Sequence, residues 1–565
     1  MDTLPRRNSM SKRIVVDPIT RIEGHLRIEV EVDDNIIKDA WSSITLWRGI
    51  ETILKGRDPR DAGLMVQRFC GVCTYSHYEA SIMACEDAFG VKPPPIARIV
   101  RNLINGAQYL TDHVMHFYHL HGLDWVDIVS ALSADPRKAV EMAKGYHANP
   151  YNCSETHYKA VQERLTKFVK SGRLGPFANA YWGNASYKLP PEANLIIVSH
   201  YLDALQLSKV GAQMMAIFGG KNPHPQTLVV GGITSVADAL DVHRIGEYLF
   251  RLKEFKNFVD TAYIPDVLIA ATYYKDEGAA GIGAGVKNYL AYGGFELDDD
   301  GHTLLFPRGL VRAGDIANPL ALDEKKITEE VYHSWYKGGE GLHPYEGKTE
   351  PNYTGFDSNT HLKGDEKYSW CKSPQYDGQP YEVGPLARFI VAYAQGHTEI
   401  KGLVDNTLKA AGLPVTVLFS TLGRTAARAL ETKYLGDHME EWINDLVTRI
   451  KGGDTRTWTR CDVPDKGEGR GMVEVPRGAL GHWVKIDNKV ISNYQAVVPS
   501  TWNCAPRNKA GKRGPYEESL IGTKMANVDQ PLEILRTIHS FDPCMACAVH
   551  IIDPKTNEVK EYKVA

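Results

Sequence analysis

Two short cysteine pairs, Cys70–Gly71–Val72–Cys73 and Cys544–Met545–Ala546–Cys547, sit near opposite ends of the chain. Two intervening residues let both sulfurs of a pair face one point from a single turn, so each pair is a ready chelate. Brought together, the pairs make a four-thiolate metal site closed across the whole length of the polypeptide. On residue chemistry alone four thiolates favour structural zinc. Zinc ribbons, however, draw both pairs from one short segment, and the flanks here carry titratable groups (Glu23, His77, Asp542, His550) that a closed structural site does not need. Attachment of haem fails because Cys73 is followed by Thr74 rather than histidine.

The elements around these residues must hold them. A helical pattern over Ser76 to Phe89, stopped by Gly90, follows the first pair. Asp542–Pro543 reads as an N-cap with proline at the first helical position, which predicts Cys544 and Cys547 in a first helical turn. The N-terminal end of a helix favours anions, so thiols there are biased toward thiolate, and Arg68 and Arg507 add positive potential. Residues 25–32 alternate apolar Leu26, Ile28, Val30 and Val32 with charged Arg27, Glu29 and Glu31. That pattern predicts a half-buried strand, turned by Asp33–Asp34–Asn35 into a second strand over 36–42. After Pro93–Pro94–Pro95 the apolar spacing predicts a long amphipathic helix. Another follows Pro190–Pro191 and stops at Gly219–Gly220, and a third spans about 425–451 before Gly452–Gly453. A further apolar segment follows Pro385. Between roughly 296 and 382 the chain is rich in Gly, Asp, Tyr and Pro and reads as ordered irregular surface.

The 565 residues are 43% apolar and 24% charged with a net charge of −4, a globular composition that gives no sign of a nucleic-acid or anionic-membrane partner. No run of about 18 apolar residues is present to span a membrane. The basic start leads straight into Asp17–Pro18–Ile19–Thr20 with no apolar segment of a secretory signal, so export would need another chain as carrier. Nine cysteines are too few for a disulfide framework; Cys85, Cys153, Cys371, Cys461 and Cys504 stand alone and are expected to be buried inert thiols. With no internal repeat and no linker-like stretch, one intertwined, mainly α unit with smaller α+β parts fits best: a long-helix core with peripheral β-hairpins.

At this point the residues become recognisable. Arg68–Phe69–Cys70–Gly71–Val72–Cys73–Thr74 with His77, and Asp542–Pro543–Cys544–Met545–Ala546–Cys547 with His550, closely resemble the signatures of the nickel–iron hydrogenase large subunit. The resemblance extends to Arg21–Ile22–Glu23–Gly24–His25, Trp47–Arg48–Gly49, Phe218–Gly219–Gly220–Lys221 with Pro223–His224, Glu382–Val383–Gly384–Pro385, Pro476–Arg477–Gly478 and Pro499–Ser500–Thr501–Trp502–Asn503. It covers nearly the whole chain and is nearest to membrane-associated uptake-type enzymes.

The resemblance implies a hydrogenase-like fold and heterolytic cleavage of H2 at a nickel–iron centre. All four thiolates would bind nickel, with Cys70 and Cys544 terminal and Cys73 and Cys547 bridging to an iron that carries carbon monoxide and cyanide. A terminal cysteine and Arg507 are the two candidate bases, and Asp112 and Asp542 match carboxylates that hold this arginine. Glu23 matches a proton-relay carboxylate, Ser500 a hydrogen-bond donor to an iron-bound cyanide, and His224 a histidine just outside the ligand set. Glu51, His550 and the backbone carbonyl of Ala496 match a magnesium site.

The resemblance also implies a mature catalytic domain of residues 1–550. A maturation endopeptidase would remove 551–565 after metal insertion, leaving His550 as the C-terminus. Too few paired cysteines are left over for an electron relay, so an iron–sulfur small subunit is the expected partner. It would bring the export signal and a membrane-anchored, quinone-linked subunit, placing the assembly on the periplasmic face of the membrane. The alternatives are a cytoplasmic enzyme of the same family serving a soluble carrier, and a non-enzymatic protein stapled by zinc.

Overall fold

The structure, a computed structural model, describes residues 12–172 and 181–545. Cys547, His550 and the 551–565 tail lie outside the described residues.

The N-terminal sheet is an antiparallel meander of β1 (Lys12–Val16), β2 (Leu26–Asp33) and β3 (Ile36–Ile44). Asp34 and Asn35 make its tight turn at φ 50° and 60°, a left-handed conformation that Asp and Asn tolerate. The predicted alternation is present, but the charged face is covered rather than solvated. Glu29 is 0% exposed and accepts from Arg13 Nε at 2.6 Å and Arg27 Nε at 2.7 Å. Its cover is the segment read as irregular surface: Arg27 donates to the carbonyl of Thr360, and Leu362 N–H donates to Glu29. That segment also contributes Trp335, Tyr336, Trp370 and Cys371 to the core beneath the sheet. Much of the segment is surface as expected, 312–326 and 348–361 being exposed or half-buried, while 333–336 and 368–376 pack inward through aromatic rings.

The helices follow their punctuation. α1 is Ser76–Phe89, ended by Gly90 in the left-handed region (φ 65°). α2 (Pro95–Met115) opens on proline, and α3 (Pro191–Gly219) ends at Gly220, φ 78°. α4 is Pro385–Ala394. α5 (Thr421–Lys451) starts a turn earlier than its apolar pattern, because the Ser420 hydroxyl accepts from Gly423 N–H at 3.0 Å and caps it. α2 packs against both α3 and α5 at the centre of the large helical core. It was expected to show a polar solvent face, yet Arg98, Arg101, Asn102, Asn105, Gln108 and Asp112 are all buried.

A second meander, β4 (Lys466–Val475), β5 (Gly478–Asp487) and β6 (Val490–Val497), lies along α1. Glycines allow this approach. A Cβ on Gly471 would stand 1.9 Å from the carbonyl oxygen of Ala80, and one on Gly469 2.2 Å from that of Ala84. α6 (Leu532–His539) is the last helix among the described residues.

Cys544 is not in a helical first turn as Asp542–Pro543 suggested. The chain leaves α6, passes through Asp542 in the left-handed region (φ 56°), and runs extended. The Asp542 carboxylate pairs with Arg477 at 3.1 Å, and Cys544 forms a parallel backbone bridge to Glu23 in which Met545 N–H donates to the Glu23 carbonyl. Of the lone cysteines, Cys85, Cys371 and Cys504 are buried, whereas Cys153 and Cys461 are half-buried.

Candidate metal centre

Cys70 follows a short 3₁₀ turn (Gln67–Phe69) in extended conformation, and Cys73 leads into α1. The CxxC loop curls around its first sulfur, so that Val72 N–H and Cys73 N–H both donate to Cys70 Sγ at 3.2 Å. Two backbone donors aimed at one sulfur stabilise its anionic form. Cys544 arrives from the other end of the chain. Its Sγ lies 3.1 Å from Cys70 Sγ and 4.0 Å from Cys73 Sγ, and all three thiols are buried. The three sulfurs fall within 4.8 Å of one another, the spacing of ligands around one ion rather than the ~2.05 Å of a disulfide. A converging set of soft sulfur donors suits nickel, iron or zinc and disfavours magnesium or calcium.

The surroundings are charged and closely held. Glu23 Oε2 is 3.5 Å from Cys544 Sγ, and the Ser500 hydroxyl accepts from Cys544 N–H at 3.1 Å. Arg477, on the turn between β4 and β5, reaches Asp112 Oδ2 at 2.9 Å and Asp542 Oδ1 at 3.1 Å, with all three buried. It lines the same small cavity as Cys73, His77, Ser500 and Cys544. Burial works against the Arg477 charge, but Asp542, the cysteine sulfurs and Asp112 more than compensate and hold it firmly cationic. Burial pushes Asp112 up to about 7, against the pull of Arg477.

This corrects the expectation for Arg507. The arginine held by Asp112 and Asp542 is Arg477. Arg507 instead pairs with Asp39 on β3, lies 3.8 Å from Glu517, and sits over the Trp41 ring. The sequence contained the signal, since Pro476–Arg477–Gly478 is one of the matching segments. What it lacked was the β4–β5 turn that aims Arg477 inward.

Glu51 and Ala496 are neighbours: Glu51 Oε1 accepts Ala496 N–H at 3.0 Å. The other Glu51 oxygen accepts from Thr349 and from Lys372 Nζ at 3.1 Å, and Lys372 is 3.5 Å from Glu329. Lys372 and Glu329 were not singled out in the sequence, where nothing distinguishes them from surface charges. His224 Nε2–H donates to the carbonyl of Cys70 at 3.0 Å. His77 Nδ1 meets His482 Nε2 at 3.0 Å, and His482 continues to the Tyr494 hydroxyl at 2.6 Å. Burial lowers His77 to about 4 and pulls His482 down as well, which favours the neutral form of both rings.

Comparison with known proteins agrees with this geometry. The family model described as nickel-dependent hydrogenase matches residues 48–550, and a second, described as HoxL-like, matches 13–45. The chain is 52% identical to the quinone-reactive Ni/Fe-hydrogenase large chain of Wolinella succinogenes, over 98% of each. It is 48% identical to the uptake hydrogenase large subunit of Rhizobium leguminosarum bv. viciae, over 99% of this chain and 98% of that one. Among solved structures, the reduced Ni-Fe-Se hydrogenase of D. vulgaris Hildenborough superposes with a TM-score of 0.78 at 36% identity, covering 96% of this chain and 100% of that one. The thiolate cradle, the helical core and these likenesses agree: the chain belongs to the nickel-dependent hydrogenases, as the catalytic large subunit of a nickel–iron enzyme acting on dihydrogen.

Proposed function

We propose that Cys70, Cys73, Cys544 and Cys547 would hold a nickel–iron centre whose iron is of the carbonyl- and cyanide-ligated kind, Cys73 and Cys547 serving both metals, and that Glu23 relays the proton. The observation that carries this reading is the convergence of three buried sulfurs from the two ends of the chain, with the Glu23 carboxylate 3.5 Å from one of them. The bound metals would supply a soft electrophilic site at which dihydrogen is polarised for heterolytic cleavage. The chain's own part concerns the proton. Cys544 Sγ is placed to take it and the Glu23 carboxylate to receive it next, within reach of a single proton transfer. Arg477 takes the place first given to Arg507. Held between two carboxylates, it keeps a fixed positive charge over the site rather than titrating. The Ser500 hydroxyl, already accepting from Cys544 N–H, has its own proton free to donate toward a diatomic ligand.

Glu51, whose carboxylate already meets Ala496 N–H, would with the Ala496 carbonyl and His550 hold a magnesium ion, and Lys372 and Glu329 lie beside it as hydrogen-bonding partners. Residues 1–550 form the mature catalytic domain, and an endopeptidase removes 551–565; the family match ending at residue 550 supports this boundary. Electrons leave to an iron–sulfur small subunit and then to a membrane-anchored, quinone-linked partner on the periplasmic face. The names of the Wolinella and Rhizobium relatives support oxidation of hydrogen in that setting.

Elemental analysis and infrared spectroscopy of the purified complex test the reading. Nickel and iron with bands in the carbonyl and cyanide stretching region are expected. Zinc without nickel, or no such bands, would overturn it.

A further inference from the structure

Of the buried polar face of α2 only Asp112 serves the centre, and three oxygens on this face and on the facing helix lack a donor. Gln108 Oε1 and Asn105 Oδ1, three residues apart on that face, accept no hydrogen bond, and neither does Glu79 Oε2 on the facing helix α1. Glu79 is 6% exposed and Asn105 1%. An acceptor buried without a donor costs about 1–3 kcal/mol, and ordered water is the usual remedy where there is room. There is room here. A cavity of about 350 Å³, space for on the order of ten waters, lies between α1, α2, β4 and the 293–304 segment, and Glu79 and Asn105 both line it. Its rim is formed by exposed Lys92, Asp299 and Arg470, and Glu296 stands on its inner wall.

The inner end of this face reaches the centre. Gln108 Nε2 donates to the Val72 carbonyl, between the two cysteines of the first pair, at 3.2 Å and to Asp112 Oδ1 at 2.5 Å. Asp112 holds Arg477. Polar groups therefore run in one line from Arg477 through Asp112, Gln108 and Asn105 to the cavity, and away from Glu23, which approaches from the Cys544 side.

We propose that this cavity is a second proton port, in which water held by Gln108 and Asn105 links Asp112 to solvent and Glu79 is the carboxyl that exchanges protons with the cavity. The proposal rests on the hydrogenase reading for its proton source. Arg477, which lines one cavity with Cys73 and Cys544, gives an N–H proton to Asp112 as it takes one from the thiol, so its charge is unchanged. Beyond Asp112 each step moves one proton from a carboxyl or water O–H to the next oxygen, and no electron changes place. Glu79 is suited to the task. Burial raises it to about 8, against the opposing pull of Arg101 and of the Tyr75 hydroxyl, which donates to Oε1 at 3.3 Å. A carboxyl in that range gains and loses its proton near neutrality.

The test is hydrogen–deuterium exchange by the intact enzyme complex with Glu23→Gln as background, together with a crystal structure showing waters. Adding Glu79→Gln or Asn105→Leu should slow the residual exchange at least tenfold while nickel content and the infrared bands of the centre stay as in the Glu23→Gln enzyme. A file of ordered waters should join the cavity to Gln108. Glu79→Gln preserves size and is the deciding variant if Asn105→Leu loses nickel. Equal exchange with and without Glu79→Gln, no exchange at all in Glu23→Gln alone, or a dry cavity would each overturn the port. Absence of nickel and infrared bands in the unmodified complex would instead be a failure of the hydrogenase reading. The port would then be judged on the waters and on the infrared titration of the Glu79 carboxyl.

Discussion

Glu23 and Cys544 are joined twice, by a parallel backbone bridge and by a 3.5 Å contact between the carboxylate and the thiol. The backbone link fixes the two Cα positions and keeps the carboxylate within reach of the thiol, as the proposed proton path needs. Glu23→Gln retains shape and hydrogen bonding but cannot accept a proton. It should leave nickel and iron content unchanged and slow hydrogen–deuterium exchange about 100-fold. Exchange at the normal rate in that variant would remove Glu23 from the path.

The two arginines separate by experiment. Arg477→Gln leaves Asp112 and Asp542 buried together without a cation, a change that costs about 3–5 kcal/mol. Arg507→Gln removes a partly exposed pair with Asp39 and should cost much less while leaving nickel in place. Urea unfolding with nickel analysis compares them. Greater sensitivity at Arg507 would mean that the clamp has been assigned to the wrong residue.

Cys544→Ser replaces a soft sulfur by a hydroxyl that stays protonated at neutral pH. Nickel and activity should vanish together, whereas Cys504→Ser, at a buried thiol outside the cradle, should retain both. Inductively coupled plasma analysis and hydrogen uptake read the outcome. Full nickel in Cys544→Ser would contradict the cradle.

Glu517 gives a pH signature unrelated to the centre. Burial raises its carboxyl to about 7, while Arg507 and the bonds from Ser42 N–H and the Tyr368 hydroxyl pull it down. The unfolded value is about 4.3. Between the two the folded state keeps a proton that the unfolded state releases, so this group's contribution to stability falls as pH rises through that window. Glu517→Gln should therefore lose less stability than the unmodified chain between about pH 5 and about pH 8. The same fall in both proteins, by urea midpoint, would show that Glu517 is already ionised.

Intact-mass analysis of active enzyme should find a large subunit ending at His550. Active protein retaining Ala565 would show that the 551–565 segment is not a removable extension.

Much of this was legible in the chain because punctuation is local. Gly90, Gly220, Pro95 and Pro191 mark helix ends through backbone geometry alone, and the helices run between them. The chelating pairs were legible for the same reason. Three features were not. Cys544 sits in extended backbone because Glu23, far away in sequence, offers it a single backbone bridge, and no local propensity encodes that. Arg477 and Arg507 look alike as residues; the β4–β5 turn aims one inward and β3 holds the other at the edge. The polar face of α2 reads as a solvent face, and only the packing of α1 and β4 shows that it is enclosed.

The bridge between residues 23 and 544 also sets an order of events during synthesis. Cys73 leaves the ribosome 471 residues before Cys544, an interval of tens of seconds at typical bacterial elongation rates. Through that interval Glu23 lacks its backbone partner and the first two thiols lack the third sulfur of their site. A nascent chain therefore needs either a protective escort or a starvation of competing ions, and the correct ion can be locked in only after translation is over.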